Sequence, residues 1–416
     1  MKRRALISSI GIGITGSSGC LRLQGGGEGT EVETEEGTEV ETEEGTEQTN
    51  LDLPDFSTLT NWPMMNYDKK NSGWNSGFQD PEPEAISKLW EYEAGGRVTT
   101  PVIFNNYVCA GSRDFKLHAI TAGEGTEHWT FQLPSLVNNS AAIQNEVVLV
   151  APDDEYISGL KLSQGSRNKQ FVRSGSAPIV DNGKVYFTSF DDGGGLYCYS
   201  QEGAELLWKV DLNPRGPPAV GEESVFVSGQ DGEIYAIDKS SHDILWQVET
   251  REGTEPVQLE PPVVSGSTVF VGHSGMGKGK LYAINTEDGS ERWKHTVTSD
   301  RPEDQRPPLA VRSYVCNENN VFFASKFEVS KVDKESGSFR WTTNFNGAVN
   351  GLALSDNWLY AIPFRDGIYR ANLTNGEKLQ IVQQSSSSSD LYHAISLANR
   401  QIVASRGKKI ISYSDF

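Results

Sequence analysis

The sequence predicts an all-β protein: an eight-bladed β-propeller of four-stranded blades, with the ring closed by an N-terminal strand pairing with the C-terminal blade. Three observations carry the prediction. The phrase IYAIDKSSHDILW at residues 234–246 recurs at 117–129, 196–208, 281–293 and 329–341, with weaker copies at 159–169 and 368–380. Trp90, Trp129, Trp208, Trp246, Trp293 and Trp341 follow one another at intervals of 39, 79, 38, 47 and 48 residues, the interval of 79 holding two units. Four short strands every 38 to 48 residues is the period of a propeller blade. Finally, residues 86–93 (ISKLWEYE) form an orphan strand of the type that ends each unit, while the last unit stops at Phe416 without its outer strand. Joining the two leaves no open sheet edge.

In chain order, residues 1–20 read as an export signal. A basic start with Arg3 and Arg4, a short apolar run and small residues lead to Cys20. The twin arginines fit a twin-arginine signal, and Ser18-Gly19-Cys20 matches the end of a lipobox, with cysteine as the lipid anchor. Ser17 departs from the aliphatic residue usual there; a plain cleaved signal with an incidental Cys20 is the other reading. Residues 21–60 form a tether: ten glutamates lie between 21 and 50 in a near-verbatim GTEVETEE repeat, too polar to offset its own ordering entropy. Residues 61–416 hold the propeller domain. Its lead-in, 61–77 (NWPMMNYDKKNSGWNSG), is rich in tryptophan, Asn and Gly and has no strand period. It reads as an ordered segment packed on the domain. The eight units then begin near Thr100, Ser140, Ala177, Pro217, Pro261, Ser313, Gly351 and Ala394.

Glycine numbers 42, aromatic residues make up 10% of the chain, and β-branched runs alternate with Gly/Asn/Asp turns, all of which favour strands. The net charge of −19 repels phosphate backbones and excludes nucleic acid as a partner. It fits either an ordinary solvated surface or adaptation to high salt, where screening removes the self-repulsion.

The pattern LYAIDxxTGxxxW, best kept in AIDKSSHDILW, AINTEDGSERW and KVDKESGSFRW, resembles the repeat of the PQQ-like (pyrroloquinoline quinone) propeller family over roughly residues 62–416. Signal, acidic bias and lead-in together resemble its BamB-like lipoproteins and haloarchaeal surface members. The resemblance implies that the six tryptophans are structural, each docking between neighbouring blades. It also brings in the quinoprotein dehydrogenases, whose ring uses a quinone, a calcium ion, a catalytic carboxylate and often a vicinal disulfide. None of those marks is evident in these residues, so no cofactor is expected.

Aligning the units places Thr99, Asn139, Ser176, Gly216, Glu260, Arg312, Asn350 and His393 just before the first strand of each blade, at the mouth of the central channel. Glu260 alone is a carboxylate, poorly suited to calcium, which takes six to eight oxygens. These positions form either a solvated polar rim or a recognition ring with Arg312 and His393 as donors. The six histidines have no metal spacing, and Cys109, Cys198 and Cys316 sit in strand-like contexts as small core residues. GHSGMGKGK at 272–280 leads into a strand, so it reads as a hairpin; a phosphate-binding loop opens a helix. The same reading holds for Asp191 to Gly195 and for Asp231-Gly232. Asn138 and Asn372 begin sequons for glycosylation.

The reading that emerges is a non-enzymatic binding or scaffold protein at the cell surface, monomeric and held to the membrane through Cys20. Its partners are envelope proteins or a surface glycan. The alternatives are a quinone-dependent dehydrogenase and a polysaccharide-active enzyme working at the channel mouth.

Overall fold

The computed structural model describes residues 60–415, apart from 154–155, 172–174, 191–193, 231, 252–256, 277, 299–307 and 385–389. Arg3, Arg4, Cys20 and the acidic tract lie outside the described residues, as do Asp191, Asp192, Gly193 and Asp231. Within the described residues the chain is strand throughout, with no helix. It forms eight antiparallel four-stranded blades. Their first strands start at Val102, Ala142, Ile179, Ala219, Val263, Pro308, Val349 and Tyr392, so we number the blades 1 to 8 in that order. All but the sixth start within two residues of the positions the repeat marks. Blade 6 starts five residues before Ser313 because its first strand is prolonged to pair with blade 5, Ser274 opposite Ala310 and Gly275 opposite Leu309. Those bonds fuse the two blades into one sheet. The 272–280 stretch is the hairpin of blade 5.

Ring closure is direct. Ser87–Glu93 runs antiparallel to Lys409–Ser414, from Ser87 opposite Ser414 to Glu93 opposite Lys409, and supplies the outer strand of blade 8. The inner strands of blades 1 to 5 are short and mostly apolar, such as VIF in blade 1, and the outer strands are largely exposed or half-buried, as in ILWQVE of blade 4. This pattern buries both faces of the inner strands between blades and leaves the outer strand half in water. The apolar clusters accordingly sit at blade interfaces. One joins Val102 and Leu117 of blade 1 to Ile143 and Val148 of blade 2; another joins Phe226 of blade 4 to Val269 of blade 5. Cys109, Cys198 and Cys316 are free and buried within separate blades.

The repeated tryptophans bind one blade to the next. The indole N–H of Trp90, Trp129, Trp246, Trp293 and Trp341 donates to Ala122, Leu162, Thr286, Lys334 and Leu373 O respectively, at 2.7 to 3.1 Å. Each acceptor lies in the following blade. Three residues beyond it comes a glycine in the left-handed region on which the ring lies flat, as Gly289 (φ +73°) does under Trp246. Where the glycine is missing, the contact changes. Blade 4 has His242 there, and Trp208 stacks on its imidazole at 4.9 Å. Blade 3 has Ala204, and Lys169 replaces the tryptophan, its Nζ donating 2.7 Å to Gln201 O.

The lead-in does more than pack on the domain. Residues 62–75 make one lap round the inner edge of the ring, touching every blade in order. Trp62 exchanges two backbone bonds with Ile103, Pro63 O accepts from Ile143 N, and Met64 Sδ accepts from Val180 N. Lys69, Lys70, Ser72 and Gly73 O then accept from Val220, Val264, Cys316 and Leu354 N at 2.7 to 2.9 Å, and Asn75 Nδ2 reaches Leu397 O at 2.7 Å. The first strand of a blade has no neighbour on its axial side, so its inward N–H and C=O groups need partners. The lap supplies them. Buried Asn71 ties two blades at once, donating to Pro218 O and Pro262 O at 3.1 and 3.0 Å. Asp181, buried in blade 3, holds Lys69 of the lap and Lys239 of blade 4, each at 3.0 Å.

Candidate functional site

The eight aligned ring residues and the lap mark two levels of one channel. Every lap contact falls four residues after the ring residue of its blade, from Thr99 and Ile103 to His393 and Leu397. In extended chain that is about 13 Å. The lap therefore lies below the ring along the inner strands, and the ring residues lie at the other end of those strands.

Local structure turns the ring positions toward the axis in two ways. Thr99, Asn139, Ser176, Gly216 and Glu260 precede the first strands of blades 1 to 5. Arg312, Asn350 and His393 lie inside the first strands of blades 6 to 8, each at a register shift: between Val311 and Ser313, Val349 and Leu352, and Tyr392 and Ala394. A bulge of this kind re-aims a side chain without ending the strand. The ring backbone is held by buried hydroxyls of the preceding blade. Ser405 Oγ donates to Thr99 O, Thr188 Oγ1 to Gly216 O and Ser228 Oγ to Glu260 O, at 2.6, 2.6 and 2.7 Å.

Two cavities open among these residues. The first, about 240 Å³, is walled by Glu260, Arg312, Asn350 and His393, with Trp62, Met65 and Asn66 of the lap as its floor. The second, about 300 Å³, is lined by Arg97, Thr99, Arg113, Asn138 and Asn139. Met65, Thr100 and His393 belong to both, so the two form a continuous trough. Ser176 and Gly216 line neither. Ser176 is buried, with its Oγ accepting from Thr188 N.

Burial pushes the Glu260 carboxyl above its ordinary range, with Arg312 and then Arg215 pulling the other way. Burial also lowers the His393 imidazole, whose Nε2 lies 2.8 Å from Val98 O and Nδ1 3.2 Å from Leu391 O. The neutral ring has one N–H and donates it to one of these two carbonyls, which holds His393 as part of the wall. Asn138 sits on the rim, exposed, with Oδ1 accepting from Arg113 Nε at 2.8 Å and Nδ2 donating to Asp153. Asn372 lies far from it, in the third strand of blade 7, its Oδ1 accepting from Thr374 N.

The family profile described as outer membrane protein assembly factor BamB, of the PQQ-like repeat type, matches residues 71–178 and 158–382. The chain belongs to this family. Among curated relatives, BamB of Nitrosomonas eutropha is 29% identical over 140 residues, 33% of this chain and 30% of that one. BamB of Salmonella typhimurium is 26% identical over 269 residues, 58% of this chain and 65% of that one. The matches thus span less than two thirds of those BamB proteins. Of solved structures, BamB from Moraxella catarrhalis superposes with a TM-score of 0.54 at 17% identity, covering 70% of this chain and 94% of that one. Quinohemoprotein alcohol dehydrogenase ADHIIG from Pseudomonas putida superposes with a TM-score of 0.64 at 11% identity, covering 85% and 80%. These likenesses are of fold.

The second likeness raises the question of a quinone and its calcium. The donor set does not fit them. One carboxylate, Glu260, faces the first cavity, and Arg312 stands beside it. Among the described residues no three His, Cys, Asp or Glu side chains converge as a metal site. A hard cation needs several charged oxygens, and an arginine at the same mouth repels it.

What sequence reasoning missed is the lap and the outer rim. The lap carries no period, so nothing in its residues announced which strands it would meet. The rim left a trace: Arg113-Asp114-Phe115, Lys326-Phe327 and Phe364-Arg365 place a cation beside an aromatic in the turn between second and third strands of blades 1, 6 and 7.

Proposed function

We propose that the protein is a non-enzymatic binding or scaffold propeller of the cell envelope, exported through the signal containing Arg3 and Arg4. A lipid on Cys20 holds it to the membrane, and the acidic tract serves as its spacer. The channel mouth is its contact face. The observation that carries this reading is the lap, which lies across the inner strand ends away from the ring. With the lap bonded to all eight inner strands, the ring and its trough form a concave surface at the other end. They offer arginines, amides and apolar walls where a catalyst needs paired acid and base groups. Kinship with proteins named for outer membrane assembly supports an envelope protein as partner, ahead of a surface glycan. The export and anchoring part has its own test. Cys20→Ser releases the protein from the membrane fraction into the soluble fraction, and retention in the membrane contradicts the anchor.

A further inference from the structure

We propose that the mouth rim from blade 6 round to blade 1 docks an extended acidic segment of a partner protein. Its carboxylates meet Arg97, Arg113, Arg312, Lys326 and Arg365, and one apolar side chain enters the first cavity. This deepens the binding-module reading and rests on it.

Three independent features converge on this arc. The first is exposed aromatic surface. Phe115, Phe327 and Phe364 are 43, 42 and 40% exposed, at the turns between second and third strands of blades 1, 6 and 7. Lys326 stands 4.7 Å over the Phe327 ring and Arg365 5.2 Å over that of Phe364, so cation and ring are presented as pairs.

The second is backbone strain. Phe115, Lys326 and Arg365 have φ of +68°, +53° and +61°, a region that disfavours side-chain-bearing residues. Blade 8 uses Gly407 in the corresponding turn. The conformation fixes how each turn presents its cation and ring at the rim; Glu146, His242 and Arg400 adopt the same region in other turns of the fold.

The third is charge. Elsewhere on this acidic chain several surface cations hold carboxylates: Arg292 pairs with Glu335, Arg340 with Asp333 and Lys409 with Glu91. Among the described residues, none forms an ion pair with Arg97, Arg113, Lys326 or Arg365, and Arg312 stands beside the single carboxylate of the mouth cavity, Glu260. Five cations gathered on one arc of a protein of net charge −19, with Glu260, Asp114 and Asp366 among them, favour an anionic partner and steer its approach.

The first cavity combines apolar side chains, Met65, Val263, Leu352 and Ile395, with the polar groups of Glu260, Arg312 and Asn350, so it takes one apolar side chain of a segment whose carboxylates lie on the rim. The kinship with proteins named for outer membrane assembly favours a protein segment over an acidic glycan, which is an arm of the test.

The test uses the full chain in detergent and fluorescence anisotropy with three probes: a labelled peptide of alternating Glu and Leu, its Lys counterpart, and alginate. The Glu peptide is expected to bind, the Lys peptide not. The triple variant Arg312→Ala, Lys326→Ala, Arg365→Ala is expected to weaken binding at least about tenfold while melting as the parent does. Lys294→Ala, on the outer strand of blade 5 and paired with Glu291, is expected to change nothing. Equal binding of the two peptides, or unchanged binding by the triple variant, overturns the proposal. Binding of alginate but not of the Glu peptide overturns it in favour of a glycan and leaves the binding-module reading intact. If neither binds while residues of the rim still cross-link to a protein in intact envelopes, only the acidic-segment proposal falls. If the cross-link is also absent, both fall.

Discussion

At the scale of single residues, the repeated motif is a device for joining blades, and its exceptions show the physics. Asp238, the fifth residue of IYAIDKSSHDILW, closes a turn: hydrogen bonds from Ser240 Oγ and the Ser241 and Ser240 amides lower its carboxyl to about 2. The glycine under each indole is there because a Cβ would collide. At Gly289 it would lie 2.8 Å from Trp246 Cδ2. Gly289→Ala therefore combines left-handed strain with a displaced indole and is expected to cost about 2 kcal/mol in denaturant unfolding. An unchanged midpoint would show that the stack adapts freely. Asp181 gives a pH signature. Burial alone raises a carboxyl, but hydrogen bonds from Lys69 and Lys239 outweigh it and leave Asp181 below its ordinary value. Its folded value lies under its unfolded one, so its stabilisation is present above about pH 3.9 and is lost as pH falls through the folded value. Asp181→Asn is expected to destabilise at pH 7 and to converge with the parent in acid, as read by melting across pH; a constant difference at all pH values would contradict this.

At the scale of elements, the lap from Trp62 to Asn75 is the part that ties the inner strands of all eight blades together. Its energetic role is hydrogen-bond satisfaction at eight inner strand edges, and Asn71 is its most economical residue because one side-chain amide serves two blades. Asn71→Ala leaves Pro218 O and Pro262 O without that donor in a buried site. A loss of about 2–4 kcal/mol in stability is expected from denaturant unfolding. A loss under about 0.5 kcal/mol, the level of an ordinary surface change, would show that the lap is an ornament of the ring. Ring closure also explains a detail of the repeat. Blade 7 lacks the closing tryptophan at Gln380, and the blade it would grip, blade 8, has no connected turn between its third and fourth strands, because that fourth strand comes from the other end of the chain.

At the scale of the whole molecule, the architecture was legible because it is repeated. Eight copies of one pattern fix strand number, blade order and the closing role of residues 86–93, and even the ring alignment lands four residues from each lap contact. What occurs once was not legible. The path of the lap depends on which inner edges it meets, and the bulges that re-aim Arg312, Asn350 and His393 are one-residue offsets in the pairing of each first strand with the second strand of its own blade, which the repeat does not mark. The fusion of blades 5 and 6 is another such case, arising from strands longer than the repeat requires. The rim is intermediate: its cation and aromatic pairs are visible in sequence, but their exposure and unpaired charge need the fold. Function lives in these unrepeated residues, since the repeated ones are committed to packing.

The central claim, that the open mouth is the contact face of an envelope binding module, is tested most directly by site-specific photo-cross-linking in intact cells. A photoreactive residue is placed at Asn350 or Phe327 on the mouth side, and at Asn106 or Ser267 in the hairpin turns on the lap side. A discrete cross-linked protein from the mouth positions, absent from the lap-side positions, is the predicted result. Cross-links confined to the lap side, or none from the mouth, would contradict the account.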